Sequence, residues 1–134
     1  KNQIPFFDDY AHHPTEIESV LDGVKKVYNE EEIVCIFQPH RISRVRSLKK
    51  EFSKCFKKAN TILLCPIYKA GENIKLGFSY ESFAKLIAKN SNVNLIMLKN
   101  EHELKKIIKN ITFGKKIFIA MGAGSISNWV RNLN

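Results

Sequence analysis

Apolar residues recur at Ile17, Val20, Leu21, Val24 and Val27. That i, i+3, i+4, i+7 spacing predicts a helix with one buried face over residues 14 to 28. Just upstream, the apolar run Ile4, Pro5, Phe6, Phe7 predicts a strand that hands over to it. The continuous run IVCIF at 33 to 37 predicts a buried strand. Leu48, Phe52, Cys55, Phe56 and Ala59, opposed by Lys49, Lys50, Lys54, Lys57 and Lys58, predict a second helix over about 43 to 58. A third strand follows at 61 to 64, a third helix around Phe83, Ala84 and Ile87, and a fourth strand at 93 to 97. Leu104, Ile107, Ile108 and Ile111 mark a fourth helix, opened by a capping box of Asn100 and Glu103. Residues 116 to 120 form the last strand and 125 to 131 the last helix. Between the third strand and third helix, residues 65 to 78 carry Pro66, Gly71, Asn73 and Gly77 and predict a long loop, a place where function often resides.

Strict alternation of strand and helix predicts an α/β fold: a Rossmann-like three-layer domain with a mostly parallel sheet, right-handed crossovers and helices on both faces. A chain of 134 residues with 44% apolar content suits one domain around one sizeable core, so residues 1 to 134 are read as a single domain. Strand order is not encoded in the pattern. No repeats, linkers or low-complexity tracts interrupt it.

Ionisable residues gather where the first strand meets the first helix. Asp8, Asp9, Tyr10, His12 and His13 are expected on that turn. Pro14 suits the first helical position and Glu16 the positive end of the helix dipole. In an open α/β sheet, ligands bind at the carboxyl ends of strands, which favours a substrate or nucleotide site. Asp and His also serve as ordinary turn and cap residues. A metal cage is disfavoured, because adjacent His12 and His13 diverge and the cysteines do not complete a ligand set.

A second constellation, Gln38, Pro39, His40, Arg41, Ser43, Arg44 and Arg46, follows the second strand. The chain has only four arginines among 22 basic residues, and three fall within these positions. Guanidinium groups hold carboxylate or phosphate bidentately, which Lys cannot imitate; the competing reading pairs one or two of them with the acidic first segment. The third is the loop from Met121 to Ile126, with glycines at 122 and 124. Ser127 stands where a dinucleotide fingerprint needs its third glycine, so a close strand-to-helix turn is expected, with phosphate contact open and dinucleotide binding disfavoured.

Charge changes this picture less than its size suggests. Through Glu32 there are eight acids against three bases, and beyond it five against nineteen, giving the net +9. That excess invites a stand-alone basic module binding nucleotide or nucleic acid, but most of it is Lys on polar helix faces, where solvation is the commoner cause. No specific nucleic-acid partner is expected. Three cysteines with no CxxC pair imply a reducing compartment. No run reaches the roughly 18 apolar residues of a membrane span, and no signal peptide is present, so a cytoplasmic chain without membrane contact is expected. No phosphate-cradling GxxxxGK[ST] loop occurs, and the chain opens on Lys1 almost directly into the key site, implying residues upstream.

DDYAHHPTEI at 8 to 17, FQPHRISRVR at 37 to 46, IYKAGE at 67 to 72 and MGAGSI at 121 to 126 together resemble the C-terminal domain of the Mur ligases of peptidoglycan synthesis, in the same order over nearly the whole chain. The first block is similar in the murein tripeptide ligases; HRxxRxR at 40 to 46 resembles the branch that adds L-alanine to UDP-N-acetylmuramate. The resemblance implies an ATP-dependent ligase in which ATP and Mg2+ are bound mainly by a central domain absent from this chain. ATP phosphorylates the UDP-N-acetylmuramate carboxylate, and the L-alanine amine attacks the acyl phosphate. It further implies that Asp9 approaches the ATP ribose, that Tyr10, His12, Arg41 and Arg44 line the L-alanine site, and that His13, His40, Arg46, Tyr68, Glu72, Gly122 and Gly124 form its rim. No catalytic residue and no metal ligand is assigned here, and the domain alone is expected to be a monomer that turns over nothing. Ile42 and Lys69 depart from the residues common in the family, aromatic and Pro respectively. One antiparallel strand in the sheet is also implied.

Overall fold

The computed structural model describes residues 5–133. Its elements are β1 (Phe6–Asp9), α1 (Pro14–Val27), β2 (Glu32–Phe37), α2 (Ile42–Ser47), α3 (Lys49–Lys54), β3 (Thr61–Leu64), α4 (Tyr80–Ser91), β4 (Asn94–Met97), α5 (Glu101–Asn110), β5 (Lys116–Met121) and α6 (Ile126–Arg131). Ile4, in the run expected as the first strand, lies outside the described residues.

The five strands lie in the order β1-β5-β2-β3-β4, and every neighbouring pair is parallel. The antiparallel strand implied by the resemblance is absent among the described residues, because a helical crossover separates each strand from the next and no hairpin reverses the chain. With right-handed crossovers, the steps from β1 through β4 advance one way and put α1 to α4 on one face. The return step to β5 puts α5 on the other, where α6 also packs. Strand side chains sort by the two-residue period. Ile33, Cys35, Phe37, Ile62, Leu64, Ile119 and Met121 join Ile17, Leu21, Phe52 and Phe83 in the larger cluster. Val34, Ile36, Leu63, Phe118 and Ala120 meet Leu104 and Ile126 on the opposite face.

Burial follows position in the sheet. The central strands β2, β3 and β5 are buried almost throughout, as their unbroken apolar runs require. Phe6 and Phe7 on β1, and Ile96 and Met97 on β4, stay partly exposed at the two edges. The three cysteines are free and buried, and loss of hydration raises their thiol pKa values, that of Cys65 to about 12. Among the described residues no helix is long and apolar enough to cross a membrane.

Two further expectations need correction. The helix expected over 43 to 58 is two short helices that break at Leu48, followed by a turn. Tertiary bonds override the amphipathic pattern there: the buried Ser91 hydroxyl accepts from Phe56 N and donates to Ser53 O, while Phe52 and Phe56 both pack on Phe37. At α5, Asn100 caps Glu103 N as expected, but Glu103 reaches back to Lys99 N rather than to Asn100 N.

Candidate functional site

Because β1, β5, β2 and β3 are parallel neighbours, the segments that leave them open on one edge of the sheet. The chain leaves β5 for one face and β1 and β2 for the other. This is a topological switch point, and the crevice outside the strand ends is the place where such sheets bind ligands. The residues singled out at 8 to 13, 38 to 46, 68 to 72 and 122 to 125 all belong to these segments.

Asp8 and Asp9 sit on β1 itself rather than on the turn, since the register with β5 runs to Asp9 opposite Met121. The Asp9 carboxylate accepts from Ala11 N at 2.8 Å through one oxygen, leaving the other available to a ligand. His13 is the N-cap of α1, its Nδ1 accepting from Thr15 N while Glu16 accepts from His13 N. Its ring therefore serves the helix, and Pro14 takes the first helical position. Glu16 also accepts from His12 N, and these two backbone donors hold its carboxyl below the ordinary value. Asp9, Tyr10, Ala11, His12, Glu16 and Val20 line a shallow depression of about 270 Å³.

Four rings from three segments form a ladder. Tyr10 meets His12 edge-on at 5.7 Å, His12 meets His40 at 5.8 Å, and His40 stacks on Tyr68 at 5.6 Å with 12° between planes. The hydrogen bonds give the Nδ1 atoms of the two histidines opposite roles. His12 Nδ1 lies 3.0 Å from the Tyr10 carbonyl, which can only accept, so Nδ1 carries the hydrogen. His40 Nδ1 faces Arg44 Nη1 at 3.3 Å, and a guanidinium can only donate, so this Nδ1 is bare and His40 is neutral. Partial burial, then the charges of Arg44, His12 and Arg41, push the His40 pKa below its ordinary value, against a smaller opposing pull from Glu72.

The three clustered arginines divide their tasks, and among the described residues none pairs with the acidic first segment. Arg44 also donates to the His40 carbonyl at 3.2 Å, and its remaining N–H groups stay available. Arg41 lies 3.7 Å from the Glu72 carboxylate. Its backbone has φ 78° and ψ 130°, a region that costs a non-glycine residue about 1–3 kcal/mol and persists only where surroundings impose it. Arg46 turns to the long loop and donates to Lys75 O at 2.8 Å. Glu72 binds Ser43 through both its backbone N–H and its hydroxyl. Those bonds, the hydroxyl first, hold its pKa below the ordinary range.

The glycine turn is shaped by contact. A Cβ on Gly122, whose φ is +151°, would lie 2.8 Å from the Gln38 carbonyl oxygen, and one on Gly124 would lie 2.7 Å from Tyr68 Cβ. The buried Gln38 carboxamide then closes the turn, accepting from Ile126 N at 3.0 Å and donating to the Ser125 hydroxyl at 3.1 Å. Phosphate contact, left open by the sequence, is disfavoured at this turn because Gln38 already occupies an N–H at the start of α6. Gln38, Ser43 and Ser125 have no role legible in sequence; only the adjacency of β2, β5 and the long loop gives them one. Asn60 works similarly at the opposite end of the sheet, accepting from Ile33 N at 2.8 Å.

Chemically, the edge offers two cationic forks, two imidazoles and an exposed phenol, Tyr10. Such a set has the chemistry to hold a small anionic or zwitterionic ligand. Among the described residues no group of three or more His, Cys, Asp or Glu is placed to hold a metal ion.

A family model described as Mur ligase, glutamate ligase domain, matches residues 1–124. The chain is 63% identical over 128 residues to a UDP-N-acetylmuramate–L-alanine ligase of Pelagibacter ubique, covering 96% of this chain and 28% of that protein. Among solved structures, a UDP-N-acetylmuramate-alanine ligase of Thermotoga maritima aligns with TM-score 0.69 and 27% identity over 96% of this chain and 25% of its own. A murein peptide ligase of Psychrobacter arcticus aligns with TM-score 0.71 over 98% of this chain and 27% of its own, at 21% identity, a likeness of fold alone. The chain thus spans 28% of the length of the Pelagibacter relative.

Proposed function

The chain belongs to the Mur ligase family, matching its glutamate ligase domain, and from that premise we propose that it is the amino-acid-binding domain of an ATP-dependent ligase joining L-alanine to UDP-N-acetylmuramate. The observation that carries this reading is the pair Arg41 and Arg44 on the switch-point edge beside Tyr10 and His12. In the reading, the arginines hold the L-alanine carboxylate. L-alanine is small, and its methyl group contributes only about 1 kcal/mol, so its two charged ends must supply most of the affinity. A hydrogen bond to a charged group contributes roughly 1.5–3 kcal/mol, and a guanidinium can offer two at once.

With His40 Nδ1 engaged by Arg44 and His12 Nδ1 engaged by the Tyr10 carbonyl, the second nitrogen of each ring is left for a ligand contact. Orientation of the amine toward the activated carboxylate is what these residues would contribute. ATP supplies the phosphoryl group that activates the carboxylate of UDP-N-acetylmuramate. Asp9 suits a contact to the ATP ribose, since one of its carboxylate oxygens is not engaged by Ala11 N. Among the described residues no cluster of His, Cys, Asp or Glu suits Mg2+, and phosphate and Mg2+ binding are assigned to other parts of the longer ligase.

The test is kinetics of the full-length ligase with each substrate varied in turn. Arg44→Lys keeps the charge but loses the fork, and the KM for L-alanine is expected to rise roughly tenfold to a hundredfold while the KM for ATP moves little. Asp9→Asn is expected to do the reverse. Equal damage to ATP and alanine use by Arg44→Lys would overturn the assignment.

A further inference from the structure

Helix α2 begins on Arg41 with no cap from that residue's own side chain and no acid in its first turn. An uncapped helix start leaves backbone N–H groups without partners. Here a residue 29 positions away supplies the missing acceptor, as Glu72 Oε1 takes Ser43 N at 3.0 Å and Oε2 takes the Ser43 hydroxyl. The same Oε2 lies 3.7 Å from Arg41 Nη1. One carboxylate thus caps the helix and faces the arginine that starts it.

The backbone of Arg41 is held from the same direction. Arg41 N donates to Tyr68 O at 2.7 Å, and Tyr68 N donates to Pro39 O at 2.8 Å. Ala70 and Gly71, at φ 54° and 84°, turn the loop back so that Glu72 follows Tyr68 onto the same helix start. The positive φ of Arg41 is thus imposed by one loop through two independent attachments: the bridge at Tyr68 and the cap at Glu72. A separation of 3.7 Å is ion pairing rather than a tight hydrogen bond. The Arg41 side chain is 45% exposed against 16% for Glu72, so part of its five-donor fork still faces solvent.

We propose that Glu72 is a positioning residue of the amino-acid site: it acts through Arg41, fixing the helix start that aims the guanidinium and sharing that guanidinium with the substrate carboxylate. This rests on the reading of the site as that of L-alanine. It gives the long loop a task, which is to set the geometry of an arginine on the neighbouring segment.

The experiment uses the full-length ligase. Glu72→Ala should raise the KM for L-alanine about tenfold, with kcat and the KM for ATP within about twofold. Glu72→Gln, which keeps an oxygen for Ser43 N but loses the charge, should rise about threefold and serves as the test if the alanine variant does not fold. In an Arg41→Ala background, Glu72→Ala should add nothing, because a residue acting through Arg41 has nothing left to act on. Additive effects, or an unchanged KM for L-alanine, overturn the proposal. A crystal structure of the variant tests the same point without substrate: Arg41 is expected to leave positive φ or to swing its guanidinium, and an unmoved Arg41 overturns the proposal. A wild-type enzyme that fails to use L-alanine would refute the reading of the site, while the crystal structure would still decide the role of Glu72.

Discussion

A carboxamide closes each end of the sheet, that of buried Gln38 at one and of exposed Asn60 at the other, and the two differ in what they hold. At the N-terminal end Asn60 accepts from Ile33 N, while its own N–H donates to Ile33 O and its carbonyl accepts from Asn94 N. These bonds extend the ladder across β2, β3 and β4 and touch no side chain with chemistry. At the C-terminal end Gln38 fastens the glycine turn to the segment that carries His40, Arg41 and Arg44. Positive-φ Arg41 lies at that end, as does Gly122 pressed against backbone. Positive φ occurs at the N-terminal end too, at Asn92 and Gly114, but there it only turns the chain into a strand; at the C-terminal end it lies among the side chains of the candidate site.

The sharpest way to break this comparison is Gly122→Ala. Its Cβ would meet the Gln38 carbonyl at 2.8 Å in a backbone conformation that side chains rarely adopt, so a loss of about 3 kcal/mol in chemical denaturation is expected. A neutral result would mean that the turn is not clamped.

Next come the carboxamides themselves. Gln38→Leu strands the buried Ile126 N–H and should cost about 1–3 kcal/mol, with a several-fold rise in the KM for L-alanine. Asn60→Ala should cost a similar 1–2 kcal/mol, roughly, while leaving that KM unchanged. If both variants shift the KM equally, the division between the two ends fails.

A smaller effect separates the ends by pH. Folding lowers the His40 pKa from its ordinary 6.5. The folded site thus binds this proton less readily than the unfolded chain, and the stability His40 contributes is complete above that value and lost as pH falls through the lower folded one. Protonation would also turn the Nδ1 acceptor into a second donor facing Arg44. The KM for L-alanine is expected to rise about threefold on the acid side, and His40→Asn should abolish that acid limb without affecting the N-terminal end. An unchanged acid limb in the variant would exonerate His40.

The smallest effect belongs to the N-terminal ion pairs. Lys115 and Glu30, 3.7 Å apart and both about three-quarters exposed, should lose less than about 0.5 kcal/mol on Lys115→Ala, with no kinetic change. A larger loss would mean that this end is held by charge rather than by its backbone ladder.

Much of this is legible in the sequence. Apolar runs located the five strands, though the first extends to Asp9 where a turn was expected, and the 3.6-residue period located the helical segments, because burying one face imposes a spacing on the chain. The scarcity of arginine made the cluster at 41 to 46 stand out, because a guanidinium has uses that lysine lacks. The break at Leu48 was invisible, since the apolar pattern continues through it and the bonds to Ser91 that draw the chain away come from another helix.

The sequence by itself determined the alternating α/β architecture, the buried central strands and the chemical inventory of the site, all of which follow from local periodicity and residue type. Tertiary structure alone decided which inventory members meet. Inserting β5 between β1 and β2 sets Gln38 against the glycine turn, and pairing β2 with β3 lets the loop after β3 bring Tyr68 and Glu72 to Arg41. The ladder bonds between strands come from backbone groups that every residue except proline carries in full, so the apolar pattern of a strand leaves its neighbour open. His13 shows the same limit within a single turn: its residue type allowed either ligand contact or helix capping, and only the placement of Thr15 N beside its ring assigned it to the helix.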